Sequence, residues 1–253
     1  MHSLSTFLLF YILACLKIVH GADIIHGQKV RGNSMLYMVS VQNKWGHVCG
    51  GFLVSEDIVI TAAHCSAEEI DHVVLGTHNL RKWNISPLNI TYMCKYPTYI
   101  SAGFGDDLMI LRLSGKAPLN NLVKTLPIPK DEIKLKEGEI CSVAGWGKTE
   151  NKDFTVDYMR VVNVSLLNPK LCQRIWGPGL PPKAICAGGY NTNKGFCQGD
   201  SGGPLVCNGM AVGVVSFNRH RNCKYPDVPN VYTDISKYLQ WINKNMKTKE
   251  CVK

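Results

Sequence analysis

The apolar positions of this chain fall into three regimes. Phe7 to Leu16 (FLLFYILACL) is one continuous apolar stretch. It has the length of a signal-peptide core and is far shorter than the run of about 20 residues a membrane-spanning helix needs. The small residues Gly21 and Ala22 follow, so cleavage after Gly21 leaves Val19 and Gly21 at the positions where small residues are preferred. From residue 36 onward the pattern becomes short runs rich in β-branched and aromatic residues. These are Leu36 to Val41, Gly51 to Val54, Ile58 to Thr61 and Val73 to Leu75, then Cys141 to Ala144, Met159 to Val164, Leu205 to Cys207, Ala211 to Phe217 and Asn230 to Thr233. Runs of this length between Gly and Asn turns predict an all-β sandwich or barrel set. Pro118 to Gly138 holds Pro127 and Pro129 and few β-rich runs, and reads as a connector between two β halves. At the C-terminal end Ile235, Tyr238, Leu239, Ile242 and Met246 recur at helical spacing with lysines between them, predicting an amphipathic helix packed on the body.

Composition narrows the class. The 253 residues are 45% apolar and 19% charged, which excludes a disordered tail protein and a collagen-like repeat. Eleven cysteines are too many for a cytosolic enzyme unless they bind metal, and the number is odd. The leader resolves this, because Cys15 leaves with it and ten cysteines remain for an oxidising compartment. A zinc site needs Cys or His pairs at short ligand spacing, and none is present, so neither a metal nor a cofactor is expected. Removing the chain through Asp23 takes one lysine and one acid, so the net charge of +9 persists. Such a charge suits sulfated proteoglycans, anionic membranes or nucleic acid. Lys237, Lys244, Lys247, Lys249 and Lys253 concentrate it near the end of the chain, although scattered lysines ordinarily form a solvated face.

The chemistry centres on Gly199-Asp200-Ser201-Gly202-Gly203-Pro204. Three glycines around one serine let the backbone bend tightly and turn N–H groups inward, where they stabilise an oxyanion beside a nucleophile. A serine needs a base, and Thr61-Ala62-Ala63-His64-Cys65 supplies one at a strand end. The base needs an orienting carboxylate, and Asp106-Asp107 offers one just before the run Leu108 to Leu111. Asp107 is chosen because it directly precedes that run. Each piece alone has a bland explanation as a core histidine, a turn aspartate or a loop serine; together and in the order His, Asp, Ser they indicate nucleophilic catalysis. The Gly199-x-Ser201-x-Gly203 spacing also fits a lipase nucleophile elbow. That fold needs the order Ser, Asp, His and alternating helices, and the chain has neither. A non-catalytic basic binder is the other rival, and the intact triad argues against it.

These residues resemble the chymotrypsin-like (trypsin family) serine proteases, over Ile24 to about Asn245. Further matches are Ile24-Ile25-His26-Gly27, His47-Val48-Cys49-Gly50-Gly51, Gly145-Trp146-Gly147, Val214-Val215-Ser216 and Val231-Tyr232-Thr233. The resemblance implies two six-stranded antiparallel β-barrels with a C-terminal α-helix and the site between the barrels. It implies a signal peptide over 1–21, an activation dipeptide 22–23 and a peptidase domain over 24–253. Within that domain the first barrel is expected over 24–117, the connector over 118–137, the second barrel over 138–234 and the C-terminal helix and tail over 235–253. It implies Ser201 as nucleophile, His64 as general base, Asp107 as its orienting partner, and the N–H groups of Gly199 and Ser201 as the oxyanion hole. The new ammonium of Ile24 would pair with Asp200 as a zymogen switch. Asp23 rather than Lys or Arg precedes Ile24, so trypsin-like activation is not expected. The dipeptide Ala22-Asp23 resembles the acidic propeptides of the granzyme and mast-cell protease branch, which implies a secreted or granule-stored enzyme.

The same resemblance implies the bridges Cys49 with Cys65, Cys141 with Cys207, Cys172 with Cys186, and Cys197 with Cys223. Cys94 and Cys251 are left, with two readings open: an intramolecular bridge fastening the C-terminal helix, which is preferred, or a disulfide dimer. Asn84, Asn89 and Asn163 begin N-x-S/T sequons, the first weakened by Pro87. The specificity pocket is expected from Gly195, Phe196, Ser216, Asn218 and Asn230. Gly195 carries no charge at its base, so Lys or Arg specificity is not expected, and Asn218 and Phe196 are expected to narrow it toward small or medium uncharged side chains. Alternatively, Phe196 points into the core and leaves the pocket deep. Arg219, His220 and Arg221 lie near the expected rim. The implied partners are protein or peptide substrates, sulfated proteoglycan and serpin-type inhibitors, acting on a monomer.

Overall fold

A computed structural model describes residues 24–82, 86–149, 154–225, 227–248 and 251. The apolar leader, Ala22, Asp23, Asn84, Lys249 and Lys253 lie outside the described residues. The first half forms a closed barrel. Its strands are β2 (Met38–Asn43), β3 (Gly46–Ser55), β4 (Ile58–Thr61), β5 (His72–Leu75), β6 (Leu88–Lys95) and β7 (Met109–Leu113). They close in the order β2-β3-β4-β7-β6-β5, with every pairing antiparallel. β4 is buried along its whole length, which is why it reads as an unbroken apolar run rather than an alternation.

The second half is a seven-stranded sheet. Its strands β8 (Ile140–Gly145), β9 (Arg160–Ser165), β10 (Ala184–Ala187), β11 (Pro204–Cys207), β12 (Met210–Phe217) and β13 (Asn230–Asp234) run in the order β9-β8-β11-β12-β13-β10. The chain start contributes β1 (Gln28–Lys29), which pairs with the outer side of β9. An isolated bridge between Leu166 and Ala187, with the bond Leu167 N–H to Cys186 O at 2.9 Å, brings the two ends of this sheet together. Each half has its own core. The first is built on Phe52, Ile60 and Leu111, the second on Val143, Val164, Leu205 and Tyr232, which also receives Ile24.

Two α-helices complete the fold. α1 (Pro169–Trp176) starts where the Asn168 side chain accepts from Lys170 N–H at 2.9 Å, with Pro169 pre-set for the first turn. α2 (Leu239–Lys247) follows a single 3₁₀ turn at Ile235–Lys237. Ile235, Tyr238, Leu239 and Ile242 bury themselves in the first barrel's core, so the last element of the chain seals the first half. Five disulfides are present: Cys49–Cys65, Cys94–Cys251, Cys141–Cys207, Cys172–Cys186 and Cys197–Cys223. The Cys94–Cys251 bridge thus lies within one chain and ties the tail to β6. Arg112 reinforces it by donating to Asn245 O at 3.2 Å and Thr248 O at 2.5 Å. Among the described residues, no helix is long and apolar enough to cross a membrane.

Candidate active site

The end of β4 and the start of β7 bring a histidine and an aspartate together. His64 lies in a 3₁₀ turn (Ala63–Glu68) directly after β4, and Asp107 precedes β7, the strand paired with β4. Asp107 is fully buried and its carboxylate is saturated. Oδ1 accepts the His64 backbone N–H at 2.9 Å, and Oδ2 accepts the His64 ring Nδ1 at 2.8 Å and the Ser216 hydroxyl at 2.5 Å. Burial alone would raise its pKa. The hydrogen bonds from His64 and Ser216 and the attraction of the His64 ring outweigh that and hold the carboxyl below its usual range. Its neighbour Asp106 turns the other way, toward Lys183, Thr98 and the Tyr238 hydroxyl. His64 is 29% exposed and faces a cleft of about 590 Å³ that Ser201, Gly199, Ser216 and Asn218 also line.

The serine loop is held by glycines that no other residue can replace. Gly202 has φ +82°, and a Cβ there would lie 2.1 Å from Thr61 Oγ1 and 2.5 Å from Gly50 O. Gly199 has φ +95° and lines the cleft. His47 fixes that peptide: its Nε2 bonds the Gly199 carbonyl at 2.9 Å while Nδ1 bonds Ser40 Oγ at 2.8 Å. Desolvation in this half-buried position pushes the His47 pKa down to about 4, so the ring stays neutral. The motif around His47 was visible in the sequence, but nothing there assigned it this positioning task. Gly50 N–H meanwhile donates to Ser201 O at 2.7 Å, locking the first barrel onto the nucleophile loop.

Asp200 is buried under Gly145 and Gly147. Cβ atoms at those two positions would stand 2.2 Å and 2.6 Å from its Oδ1, which explains the Gly-Trp-Gly motif. Its carboxylate accepts Gly147 N–H at 2.8 Å and Cys197 N–H at 2.9 Å. Burial exceeds what these two donors supply, and its pKa is pushed up to about 7. Ile24 is also fully buried, in the core of the same half.

The expected specificity residues are only partly as anticipated. Ser216 and Asn218 line the cleft. Phe196 contributes to the wall, but its ring does not narrow the pocket: it is buried edge-on against Tyr232, with centroids 5.2 Å apart, because the second core has room for it. Gly195 and Asn230 do not line the cleft; a Cβ on Gly195 would meet Asn230 Oδ1 and the Tyr225 ring, which packs against it. No motif assigns Tyr225 a role; its one signal is an aromatic residue in a polar loop after Cys223. Of the expected rim cations, Arg221 lines the cleft together with Lys148, whereas Arg219 stacks on Trp176 at 5.3 Å. Cys49, His64 and Cys65 lie close enough to hold a metal, but both sulfurs are spent in a disulfide. Asn89 on β6 and Asn163 on β9 are exposed; Asn84 lies outside the described residues.

The buried Asp107 bonded to His64 and the Ser201 loop thus share one cleft. The family profile described as Trypsin matches residues 24–242, and the chain belongs to that family of serine endopeptidases. It is 36% identical over 246 residues to granzyme-like protein 2 of Rattus norvegicus, covering 95% of this chain and 97% of that one. It is 37% identical over 245 residues to mast cell protease 8 of Mus musculus, with the same two coverages. It is 36% identical over 231 residues to cathepsin G of Homo sapiens, covering 89% of this chain and 88% of that one.

Proposed function

We propose that this enzyme hydrolyses peptide bonds through an acyl-enzyme formed on Ser201, after removal of a short acidic propeptide. The observation that carries the reading is the fully buried Asp107 bonded to His64 Nδ1 at 2.8 Å, with His64 and Ser201 lining one cleft. Ser201 Oγ attacks the scissile carbonyl carbon while His64 Nε2 takes its proton. The Gly199 and Ser201 N–H groups hold the resulting oxyanion. Collapse of that intermediate expels the amine, which takes the proton from His64. A water then attacks the ester with His64 as base, releasing the acid and restoring Ser201. Asp107 stays ionised throughout, keeps Nδ1–H as donor and stabilises the imidazolium.

The switch residues are Ile24 and Asp200. Trimming Ala22-Asp23 frees an ammonium at Ile24, and a buried carboxylate pushed up to about 7 is the group that such a charge would neutralise. The preferred residue before the scissile bond is small or medium and uncharged. Secretion or granule storage follows from the leader at 1–21 and from kinship with mast cell protease 8 and the granzymes, and the +9 charge suits retention on sulfated proteoglycan. The peptidase domain spans 24–253, with Asn89 and Asn163 as glycan acceptors.

Peptide-library turnover by the mature chain from Ile24 tests the reading. Ser201→Ala abolishes turnover with the fold intact. Asp107→Asn lowers kcat by about ten-thousandfold, since the wrong tautomer of His64 is then held. Undiminished turnover in Ser201→Ala, or efficient cleavage after Lys or Arg, contradicts it.

A further inference from the structure

We propose that Tyr225 is a fixed stopper at the bottom of the primary specificity pocket, restricting the residue before the scissile bond to small uncharged side chains such as alanine. This rests on the peptidase reading above and specifies its substrate. Gly195 at the pocket base would ordinarily leave a deep space. Here a Cβ on Gly195 would lie 2.6 Å from Tyr225 Cε2, 2.8 Å from Tyr225 Cζ and 2.3 Å from Asn230 Oδ1, so the ring and the amide already fill that space. Phe196, Ser216 and Asn218 line the cleft, and Tyr225, half-buried, stands outside that lining, bonded to Phe196, Asn218 and Asn230.

The stopper is anchored on every side. Its hydroxyl donates to Phe196 O at 2.5 Å and accepts from Asn230 Nδ2 at 2.8 Å and Asn218 Nδ2 at 3.3 Å. A phenol has one donor and two acceptor positions, and all three are used. Asn230 is held in turn, its Oδ1 accepting Phe196 N–H at 3.2 Å. The ring lies against Ile25 and the Cys197–Cys223 bridge. Swinging Tyr225 outward breaks three hydrogen bonds and uncovers that apolar cluster, so a large side chain does not displace it cheaply. The Tyr225 hydroxyl, with its donor and both acceptor positions used, offers no partner to a charged or strongly polar side chain. A pocket discriminates by roughly 10- to 200-fold for each methylene-sized difference it accommodates or refuses, and an aromatic side chain exceeds an alanine by several such groups.

The test uses the mature protein from Ile24 and two peptidyl phosphonate inactivators that differ only in carrying Ala or Phe next to phosphorus, read as second-order inactivation rates. The wild type reacts faster with the Ala probe by about a hundredfold or more. Tyr225→Ala raises the Phe-to-Ala ratio by at least about tenfold, and Tyr225→Phe, which keeps the ring, leaves that ratio near the wild-type value. Should Tyr225→Ala fail to fold, the wild-type ratio and Tyr225→Phe decide. A wild type that reacts equally with both probes, or a Tyr225→Ala ratio that does not move, overturns the stopper and leaves the peptidase reading standing. A wild type inert to both probes overturns both.

Discussion

Releasing Ile24 from Asp23 should abolish a fall of stability with rising pH, and Asp200 sets the size of the effect. In the uncleaved chain this carboxyl is buried with two backbone donors, and its pKa is pushed up to about 7 from the ordinary 3.8. The folded precursor therefore keeps a proton that the unfolded chain has already lost between about pH 4 and pH 7. The folded state binds more protons in that window, so its stability falls as pH rises. Integrated from pH 5 to pH 8 the fall is on the order of 2–3 kcal/mol. In the trimmed chain the Ile24 ammonium lowers this pKa and the fall disappears. His47 contributes the opposite slope. Its pKa is pushed down to about 4, so its contribution is present above pH 6.5 and is lost as pH falls toward 4, equally in both forms. The assay is urea unfolding of Ser201→Ala protein with disulfides intact, as Ala22–Lys253 and as Ile24–Lys253, at pH 5 and pH 8. The difference between the two forms cancels His47 and every other common group. Asp200→Asn should flatten the precursor's slope. Equal pH slopes in the two forms would refute the reasoning.

Two substitutions test the scaffold. Gly202→Ala drives a methyl into Thr61 Oγ1 and Gly50 O and should cost more than about 3 kcal/mol of stability by denaturant titration, whereas Gly209→Ala, with a similar φ of +76° and nothing within 4 Å, should cost only about 1 kcal/mol. Replacing both Cys94 and Cys251 by Ser releases the tail from β6. The loop-entropy account places the loss at roughly 3–5 kcal/mol, read as a lower unfolding midpoint, and the parent protein should run as a monomer on non-reducing electrophoresis.

Burial makes some strands legible, although the short buried β10 (Ala184–Ala187) between Lys183 and two glycines shows no run long enough to mark it. Ile58 to Thr61 was read to the residue because all four positions are buried, and the runs in β8, β11, β12 and β13 were each found to within a residue at either end. β6 was invisible because nearly all its side chains face outward or sit at partial exposure, with Cys94 alone buried, so no period marks it. α1 buries only Cys172, and its capping residues Asn168 and Pro169 were the one local cue. The same division holds for the site. His64, Asp107 and Ser201 stand in motifs whose glycines and strand ends advertise them. Tyr225 meets Gly195, Asn218 and Asn230, residues up to 35 positions apart whose meeting depends on how the loop after β12 folds back. Spacing carries no record of that loop's path, which is why Tyr225 has no role in the sequence reading, and why that reading leaves open whether Phe196 narrows the pocket or points into the core.

The most direct test of the central claim is the intact mass of the mature chain after reaction with the Ala phosphonate probe, followed by peptide mapping. A single adduct is expected on Ser201, absent in Ser201→Ala and formed far more slowly in His64→Ala. An adduct at another residue, or unchanged labelling of Ser201→Ala, would contradict it.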